Sequence, residues 1–212
     1  MPFREYEAKV FVENEDDLLQ KLQKNGAVLL KQILQRDTYY DLDYRLTKKD
    51  ELLRIRIVEN INTHEFKAGE FSWKSSREGT HYEVREDISI PLLSAENAHS
   101  LEIVLKRLGF RRLAWLIKYR DRWRLDKVEF EFDKFIEAQA INRPKKKIGS
   151  YLQATIETEH EYPPEQMDSL LWNSLNLLGF DRTHLRMESY IELYLIELNE
   201  MDSIRRLKKR DI

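Results

Sequence analysis

The segment KYRDRWRLDKVEFEFD, residues 118–133, carries charged side chains at every second position on both sides of a short polar turn. Lys118 and Arg120 lie in its basic first half, and Glu131 and Asp133 lie in its acidic second half. Side chains two residues apart share one face of a β-strand, so each half presents a face of like charge. In the second half, the other face holds valine and phenylalanine. The pattern predicts a β-hairpin with charged and apolar faces.

The same period of two recurs along most of the chain. It predicts strands at 3–13, 28–40, 51–59, 65–74, 81–90, 110–125, 128–137 and 149–160. Apolar residues at helical spacing predict helices after the caps Asn14 and Ser94, and again over 164–178 and 189–199. We therefore expect an α+β fold, in which a closed eight-stranded antiparallel β-barrel is flanked by helices.

The composition is rich in charge and yet nearly neutral. Charged residues make up 35% of the chain, and the formal net charge is −2. Proteins that coat nucleic acid usually carry a clear basic excess, so we expect no nucleic-acid partner. The chain has no cysteine, and no run reaches the length of a membrane span or a signal core, which predicts a cytoplasmic protein. At this length we expect a single domain over residues 1–200, followed by a basic tail at 201–212.

Charges of one sign share strand faces elsewhere in the chain. The pairs are Glu5 with Glu7, Arg54 with Arg56, and Glu157 with Glu159. Such faces are usually solvated outer surfaces, but those normally mix both signs with neutral polar residues. If the apolar faces pack on helices, the charged faces line the barrel interior, which then has acidic and basic walls. Carboxylates bind Mg²⁺ or Mn²⁺, and lysine and arginine bind phosphate, so the pattern favours a site for a divalent metal and a polyanion.

The stretch EYEAK, residues 5–9, resembles the E-x-E-x-K signature of CYTH-domain proteins, the triphosphate tunnel metalloenzymes. Many charged strands satisfy this motif, so the order of the later segments matters more. Further segments resemble the family's motifs in the family's order: DTYYD at 37–41, LRIR at 53–56, SWK ending at Lys74, EVRE at 83–86, KYRDRW at 118–123, ETE at 157–159 and the helix start Ser189-Tyr190. The resemblance covers residues 3–198. The family includes class IV adenylyl cyclases, thiamine triphosphatases and inorganic tripolyphosphatases.

The resemblance and the charge pattern together imply a role for each charged residue. The implied metal ligands are Glu5, Glu7, Glu83, Asp133, Glu157 and Glu159, with support from Glu131. The implied triphosphate-binding residues are Lys9, Arg54, Arg56, Lys74, Arg85, Lys118 and Arg120, with Arg122 as a weaker candidate. Among these, Glu5, Glu7 and Lys9 are the expected catalytic residues, and Mg²⁺ or Mn²⁺ is the expected cofactor.

The closing acidic pair departs from the family's pattern. Many members place it two residues after an aromatic residue that follows glycine. Here Gly149-Ser150-Tyr151 is followed by Gln153 and Thr155 before Glu157 is reached. All of these side chains lie on one strand face, which leaves open which carboxylate reaches the metal.

Three functions remain open. The favoured one is a divalent-metal-dependent hydrolase of inorganic tripolyphosphate, a nucleoside triphosphate or thiamine triphosphate. The alternative is a class IV-type adenylyl cyclase that makes cyclic AMP from ATP, although the His-Phe that often precedes E-x-E-x-K in that class is absent from residues 1–4. A non-catalytic polyphosphate-binding module is the third, and the retention of both acidic pairs argues against it. We expect a triphosphate-containing small molecule as partner and no membrane, and a homodimer stays open.

Overall fold

The computed structural model describes residues 3–78, 82–158 and 162–198, in which nine strands form one sheet. The strands are β1 (Phe3–Phe11), β2 (Val28–Asp41), β3 (Leu52–Asn60), β4 (Phe66–Lys74), β5 (Glu83–Leu92), β6 (Arg111–Leu125), β7 (Val128–Ala140), β8 (Lys146–Lys147) and β9 (Tyr151–Thr158). They follow the order β6-β2-β3-β4-β5-β1-β9-β7, and β7 pairs with β6 to close the sheet. All pairings are antiparallel, which confirms the expected eight-stranded barrel. The two-residue β8 is an addition beside β7.

Helices flank this barrel within the described residues. They are α1 (Glu15–Lys24), α2 (Arg45–Lys48), α3 (Ala95–Arg107), α4 (Pro164–Leu177) and α5 (Tyr190–Glu197), with a 3₁₀ turn at Arg182–His184. The caps predicted for α1 and α3 are confirmed, because the side chains of Asn14 and Ser94 accept backbone hydrogen bonds at 3.0 and 3.2 Å. None of the helices in the described part of the chain is long and apolar enough to cross a membrane.

The apolar faces of β1, β7 and β9 point outward against α1 and α4. Ala8, Phe130 and Leu152 are fully buried in one cluster with Leu22 of α1 and Leu171 of α4. Burial of apolar surface stabilises the fold by about 25 cal/mol per Å², so this layer anchors the outside of the barrel. Because successive side chains in a strand alternate between faces, the packing directs the charged residues of these strands inward. The predicted orientation of the charged faces is therefore confirmed here.

Helix α5 closes one end of the barrel. Tyr190 of α5 packs with Leu116, Ile136 and Tyr151 in a second buried cluster. Leu116 and Tyr151 share the inward faces of their strands, so the cluster fills the barrel interior at this end. Ile136 reaches the same side because a β-bulge in β7 adds a residue near Phe135, which has a φ of 48°.

Candidate functional site in the barrel lumen

The barrel interior, which we call the lumen, contains a cavity of about 320 Å³. The basic residues lining it are Lys9, Lys31, Arg54, Arg56, Lys74, Arg85, Lys118, Arg120 and Arg122. The acidic residues lining it are Glu5, Glu7, Asp37, Glu70, Glu83, Asp87, Glu131 and Glu157. All of the predicted site residues are thus brought together in the lumen except Asp133, which lies behind its wall, and Glu159, which lies outside the described residues.

Four carboxylates, Glu5, Glu7, Glu83 and Glu157, form what we call the acidic cluster. Glu5 lies directly opposite Glu157 on β9, and Glu7 lies opposite Glu83 on β5. Directly opposite residues have Cβ atoms about 4.5–5.5 Å apart, so like charges repel each other across both strand pairs. Burial and the neighbouring carboxylates raise the pKa of Glu7 and the pKa of Glu157. The cluster therefore holds negative charge that the protein does not fully compensate.

Glu5 differs from Glu7 and Glu157 because it forms an ion pair with Lys74. Burial alone opposes the ionisation of Glu5, but Lys74, with Arg54 and Arg56 nearby, outweighs burial and lowers its pKa to about 2. Lys74 also lies 3.3 Å from Asp87. This lysine, predicted to bind phosphate, therefore connects the acidic cluster to the rest of the lumen.

The carboxylates of the lumen fit a divalent metal by their chemistry. Oxygen ligands are those that Mg²⁺ and Mn²⁺ prefer, and no ion-pair partner of Glu7 or Glu157 occurs within the described ranges. Glu5 forms an ion pair with Lys74, and Glu83 forms an ion pair with Arg85 at 2.6 Å. In residues 3–78, 82–158 and 162–198, no three acidic or histidine side chains form a ready-made metal-binding group. Metal binding by these residues stays a prediction.

We use the term basic wall for five of the lumen cations, Lys9, Arg54, Arg56, Lys118 and Arg120. The first part of the basic wall is organised by Asp37, which is 1% exposed. The Arg56 guanidinium donates to its two oxygens at 2.7 and 2.8 Å, and Arg54 lies 3.7 Å away. Glu70 accepts a hydrogen bond from Arg54 at 3.0 Å. Burial alone raises the pKa of Asp37, but the two arginines lower it well below its usual range. Asp37 thereby holds both guanidinium groups at the lumen surface.

The second part of the basic wall is organised by Asp133, which is fully buried. Lys118 donates to it at 2.8 Å, Arg120 donates through two nitrogens at 2.6 Å, and the Tyr190 hydroxyl donates at 2.6 Å. Gln153 accepts a further hydrogen bond from Arg120 at 2.6 Å. The sequence placed Asp133 among the metal ligands, whereas its observed contacts are those of a residue that orients two cations. Burial, followed by the neighbouring Arg120, lowers the pKa of Lys118 to about 8.

The basic wall contains hydrogen-bonding atoms that the described residues leave unused. The Nε of Arg54, and the Oε1 of Gln35, which lies opposite Lys118, are buried at the cavity lining and have no hydrogen-bond partner among the described residues. Unpaired buried polar atoms cost free energy, so such atoms in a cavity lining point to a bound ligand or water.

No role was predicted from the sequence for Asp37, Glu70, Gln35 or Tyr190. Asp37 lies within the quoted DTYYD segment, but its function depends on Arg56 being directly opposite on β3. Glu70 likewise depends on the pairing of β3 with β4. Alternation shows which residues share a face of one strand, but it does not give the register between strands.

The fold and the lumen define a class of protein: closed antiparallel barrels whose charged side chains face inward and whose apolar faces carry helices. The sequence profile of the CYTH domain matches residues 4–144, which is more than half of the chain. The chain belongs to the CYTH domain family.

Related proteins and structures resemble the chain over nearly its whole length. A Methanocaldococcus jannaschii protein named "putative adenylate cyclase" is 23% identical over 194 residues, covering 89% of this chain and 97% of that protein. A Pyrococcus horikoshii structure has a TM-score of 0.72 at 22% identity, covering 91% of this chain and 99% of that one. A Hippeastrum "putative adenylyl cyclase", described as having a dominant triphosphatase activity, has a TM-score of 0.57 at 16% identity, covering 94% and 97%. These structural likenesses show the shared fold.

Proposed function

We propose that the chain is a divalent-metal-dependent triphosphate hydrolase that binds the phosphate chain in the lumen. The observation that carries the proposal is the pairing of a pre-organised basic wall with an acidic cluster in which two carboxylates, Glu7 and Glu157, have no ion-pair partner among the described residues. A lumen that bound only an anion would not need the cluster, and one that bound only a metal would not need the wall. A triphosphate with a divalent cation satisfies both.

Phosphate binding is supported by the way in which the cations are held. Asp37 and Asp133 fix arginine side chains without covering their lumen-facing surface, since Arg54 and Arg120 both line the cavity. Charge-assisted hydrogen bonds from such groups to phosphate oxygens are each worth about 1.5–3 kcal/mol. The cavity of about 320 Å³ falls within the roughly 300–1,000 Å³ range of small-molecule sites.

Mg²⁺ or Mn²⁺ would be held by Glu5, Glu7 and Glu157, with Glu83 in support. When bound, the ion would neutralise charge on the phosphate oxygens and lower the pKa of a coordinated water. The chain's own part is to hold the phosphate chain in one orientation against the basic wall. Arg54, Arg56 and Arg120 then stabilise the charge that develops on the equatorial phosphate oxygens during transfer. No covalent intermediate is required.

Adenylyl cyclisation is the second candidate because two relatives carry that name. A cyclase must hold the ribose so that its 3′ oxygen lies in line with the α-phosphorus, about 3–3.5 Å away. Hydrolysis requires only space for water at the terminal phosphorus. The Hippeastrum structure is described as having a dominant triphosphatase activity, so the name and the activity differ in at least one relative. We therefore favour hydrolysis over cyclisation and over a non-catalytic module.

A substrate panel tests the proposal. Tripolyphosphate, ATP and thiamine triphosphate are each incubated with the full chain and Mg²⁺ or Mn²⁺, and phosphate and cyclic AMP are measured in the same samples. We expect phosphate release well above cyclic AMP formation, and no turnover in excess chelator. Cyclic AMP and pyrophosphate as the main products from ATP would show that the chain is a cyclase. Tight binding without turnover of any compound would favour the non-catalytic module.

A further inference from the structure

Tyr190, the first residue of α5, enters the lumen at its closed end and contacts three charged groups. Its hydroxyl donates a hydrogen bond to Asp133 Oδ2 at 2.6 Å. The Nζ atom of Lys118 lies 4.7 Å from the centre of its ring, and the Nζ atom of Lys9 lies 5.0 Å from the same centre. The side chain is 7% exposed and lines the cavity. One aromatic ring therefore connects both lysines of the basic wall to the carboxylate behind it.

We propose that Tyr190 is a positioning residue, which holds Lys9 and Lys118 in the arrangement that receives phosphate oxygens. This inference rests on the proposed function, since it concerns how the lumen binds a phosphate chain. It assigns to α5 a role in ligand binding as well as in closing the barrel. Tyr190 lies beyond residues 4–144, the segment that the CYTH profile matches.

The Tyr190 ring lowers the free-energy cost of holding two buried lysines close together. A lysine ammonium is a point charge on a flexible four-carbon stem, so ordering two of them near each other costs entropy and electrostatic repulsion. The negative face of an aromatic ring attracts a cation within about 6 Å of its centre. A ring that both ammonium groups contact offsets part of their repulsion and limits the positions they sample. Phosphate binding then costs less free energy, because the two lysines are already ordered before the ligand binds.

The hydroxyl acts through Asp133. Asp133 Oδ2 accepts hydrogen bonds from Lys118 at 2.8 Å and from Tyr190 at 2.6 Å. The phenol therefore satisfies part of the acceptor capacity that would otherwise bind Lys118 more tightly. This sharing weakens the attraction of Asp133 for the ammonium group, so that the contact with the ring contributes more to its position. Loss of the hydroxyl alone should accordingly matter less than loss of the ring.

The position of the ring is set by contacts that fasten α5 to the barrel. Ser189 caps the helix and forms a reciprocal capping box with Glu192. Arg77 donates to Glu192 at 2.7 Å and to Asp50 at 2.6 Å, and it also donates to a backbone oxygen just before the helix. We call Asp50, Arg77 and Glu192 the clasp. The first turn of α5, where Tyr190 lies, is thus attached to the barrel by ion pairs as well as by packing.

Tripolyphosphate titration of the full chain tests the inference by calorimetry at fixed ionic strength. Tyr190→Phe keeps the ring, and we expect its affinity to stay within about three-fold of wild type. Tyr190→Leu removes the ring, and we expect binding to weaken about ten-fold, in line with a buried cation–π contact shared by two cations. Rescue by phenylalanine separates positioning by the ring from a requirement for the hydroxyl.

Tyr194 supplies the matched control on the same helix. It is fully buried, its hydroxyl donates to the Pro144 carbonyl at 2.7 Å, and it does not line the lumen cavity. Tyr194→Leu should lower the melting temperature at least as much as Tyr190→Leu but leave the tripolyphosphate affinity of the folded protein unchanged. If Tyr190→Leu does not fold, Tyr190→Met takes its place, since the unbranched, flexible methionine side chain adapts to an irregular site and has no ring.

The outcomes separate the two ideas. Failure of the wild-type chain to bind tripolyphosphate, ATP and thiamine triphosphate alike, with Mg²⁺ present, would overturn the proposed function itself. Wild-type binding combined with equal affinity in the folded leucine or methionine variant would overturn the positioning role and leave the function standing. Equal weakening by Tyr190→Leu and Tyr194→Leu would also overturn it, because the effect would then come from the stability of α5.

Discussion

Glu5 and Glu7 are separated by a single residue, and the lumen shifts their pKa values in opposite directions. Glu5 is paired with Lys74, and its pKa is lowered to about 2. Glu7 faces Glu83 across the strand pair, and burial with the neighbouring carboxylates raises its pKa. The difference arises because Lys74 reaches Glu5 from β4, a strand that does not pair with β1, and the sequence of β1 alone does not reveal this contact. A bound cation would therefore relieve more electrostatic repulsion at Glu7 than at Glu5.

Glu7→Gln tests whether Glu7 binds the cation. The substitution keeps the size of the side chain and removes the charge that would hold a hard cation, so turnover of any accepted triphosphate should fall at least about a hundred-fold. Thermal unfolding without metal should occur at the same temperature or higher, since repulsion with Glu83 is relieved. Glu86→Gln on the exposed side of β5 is the control and should leave the rate unchanged. A wild-type rate in Glu7→Gln would remove Glu7 from the metal site.

Asp37→Asn should have the opposite effect on stability. Asp37 neutralises Arg54 and Arg56 in a buried position, and removal of one partner of such a group costs about 3–5 kcal/mol. Urea unfolding should show this loss, whereas Glu7→Gln should show none. Equal unfolding free energies for Asp37→Asn and wild type would mean that the arginines do not depend on this carboxylate.

At the scale of elements, the periodic pattern predicted the helices and strands that have caps and alternation of their own. Asn14 and Ser94 begin α1 and α3 as expected. The helix α2 was missed because the buried Asp41 carboxylate accepts hydrogen bonds from the amides of Leu46 and Thr47, a contact without a local sequence signature. The bulge near Phe135 was missed for a similar reason, since it is defined by the register between β6 and β7.

Arg77→Met tests the attachment of α5, because it removes the guanidinium of the clasp and keeps an unbranched stem. The Arg77 side chain is 15% exposed and contacts two carboxylates, so we expect a loss of about 2–4 kcal/mol in unfolding free energy. Hydrogen exchange should accelerate in α5 more than in α1. Arg182→Met is the control, because the exposed pair with Asp168 should contribute at most about 1 kcal/mol. Unchanged exchange in α5 would show that the clasp does not hold it.

At the scale of the molecule, the sequence predicted a charged barrel interior but not how its charges are compensated. The inward direction of residues such as Glu5 and Arg120 follows from alternation and from the outward apolar faces. The assignment of Asp133 to the metal did not anticipate that Lys118 and Arg120 surround it. That outcome depends on burial and on the order of strands around the closed barrel, which a single strand does not encode.

Acid should unfold the protein through its inward ion pairs. The pKa values of Glu5 and Asp133 are lowered to about 2, so their pairs add stability that is present above the unfolded values near 4 and is lost as the pH falls towards 2. The raised pKa of Glu7 acts in the other direction and limits the loss at the upper end of this range. Urea unfolding at a series of pH values should show stability falling between about pH 4 and 2. Constant stability over that range would contradict the ionised pairs.

The proposed hydrolysis requires the lumen to hold a triphosphate and a divalent cation together. A crystal of the full chain grown with Mn²⁺ and tripolyphosphate, measured for anomalous scattering, tests it most directly. We expect one manganese peak at Glu7 and Glu157 or a second acidic-cluster residue, with phosphate density against Arg54, Arg56 and Arg120. Manganese and phosphate found solely on the outer surface, with an empty lumen, would contradict it.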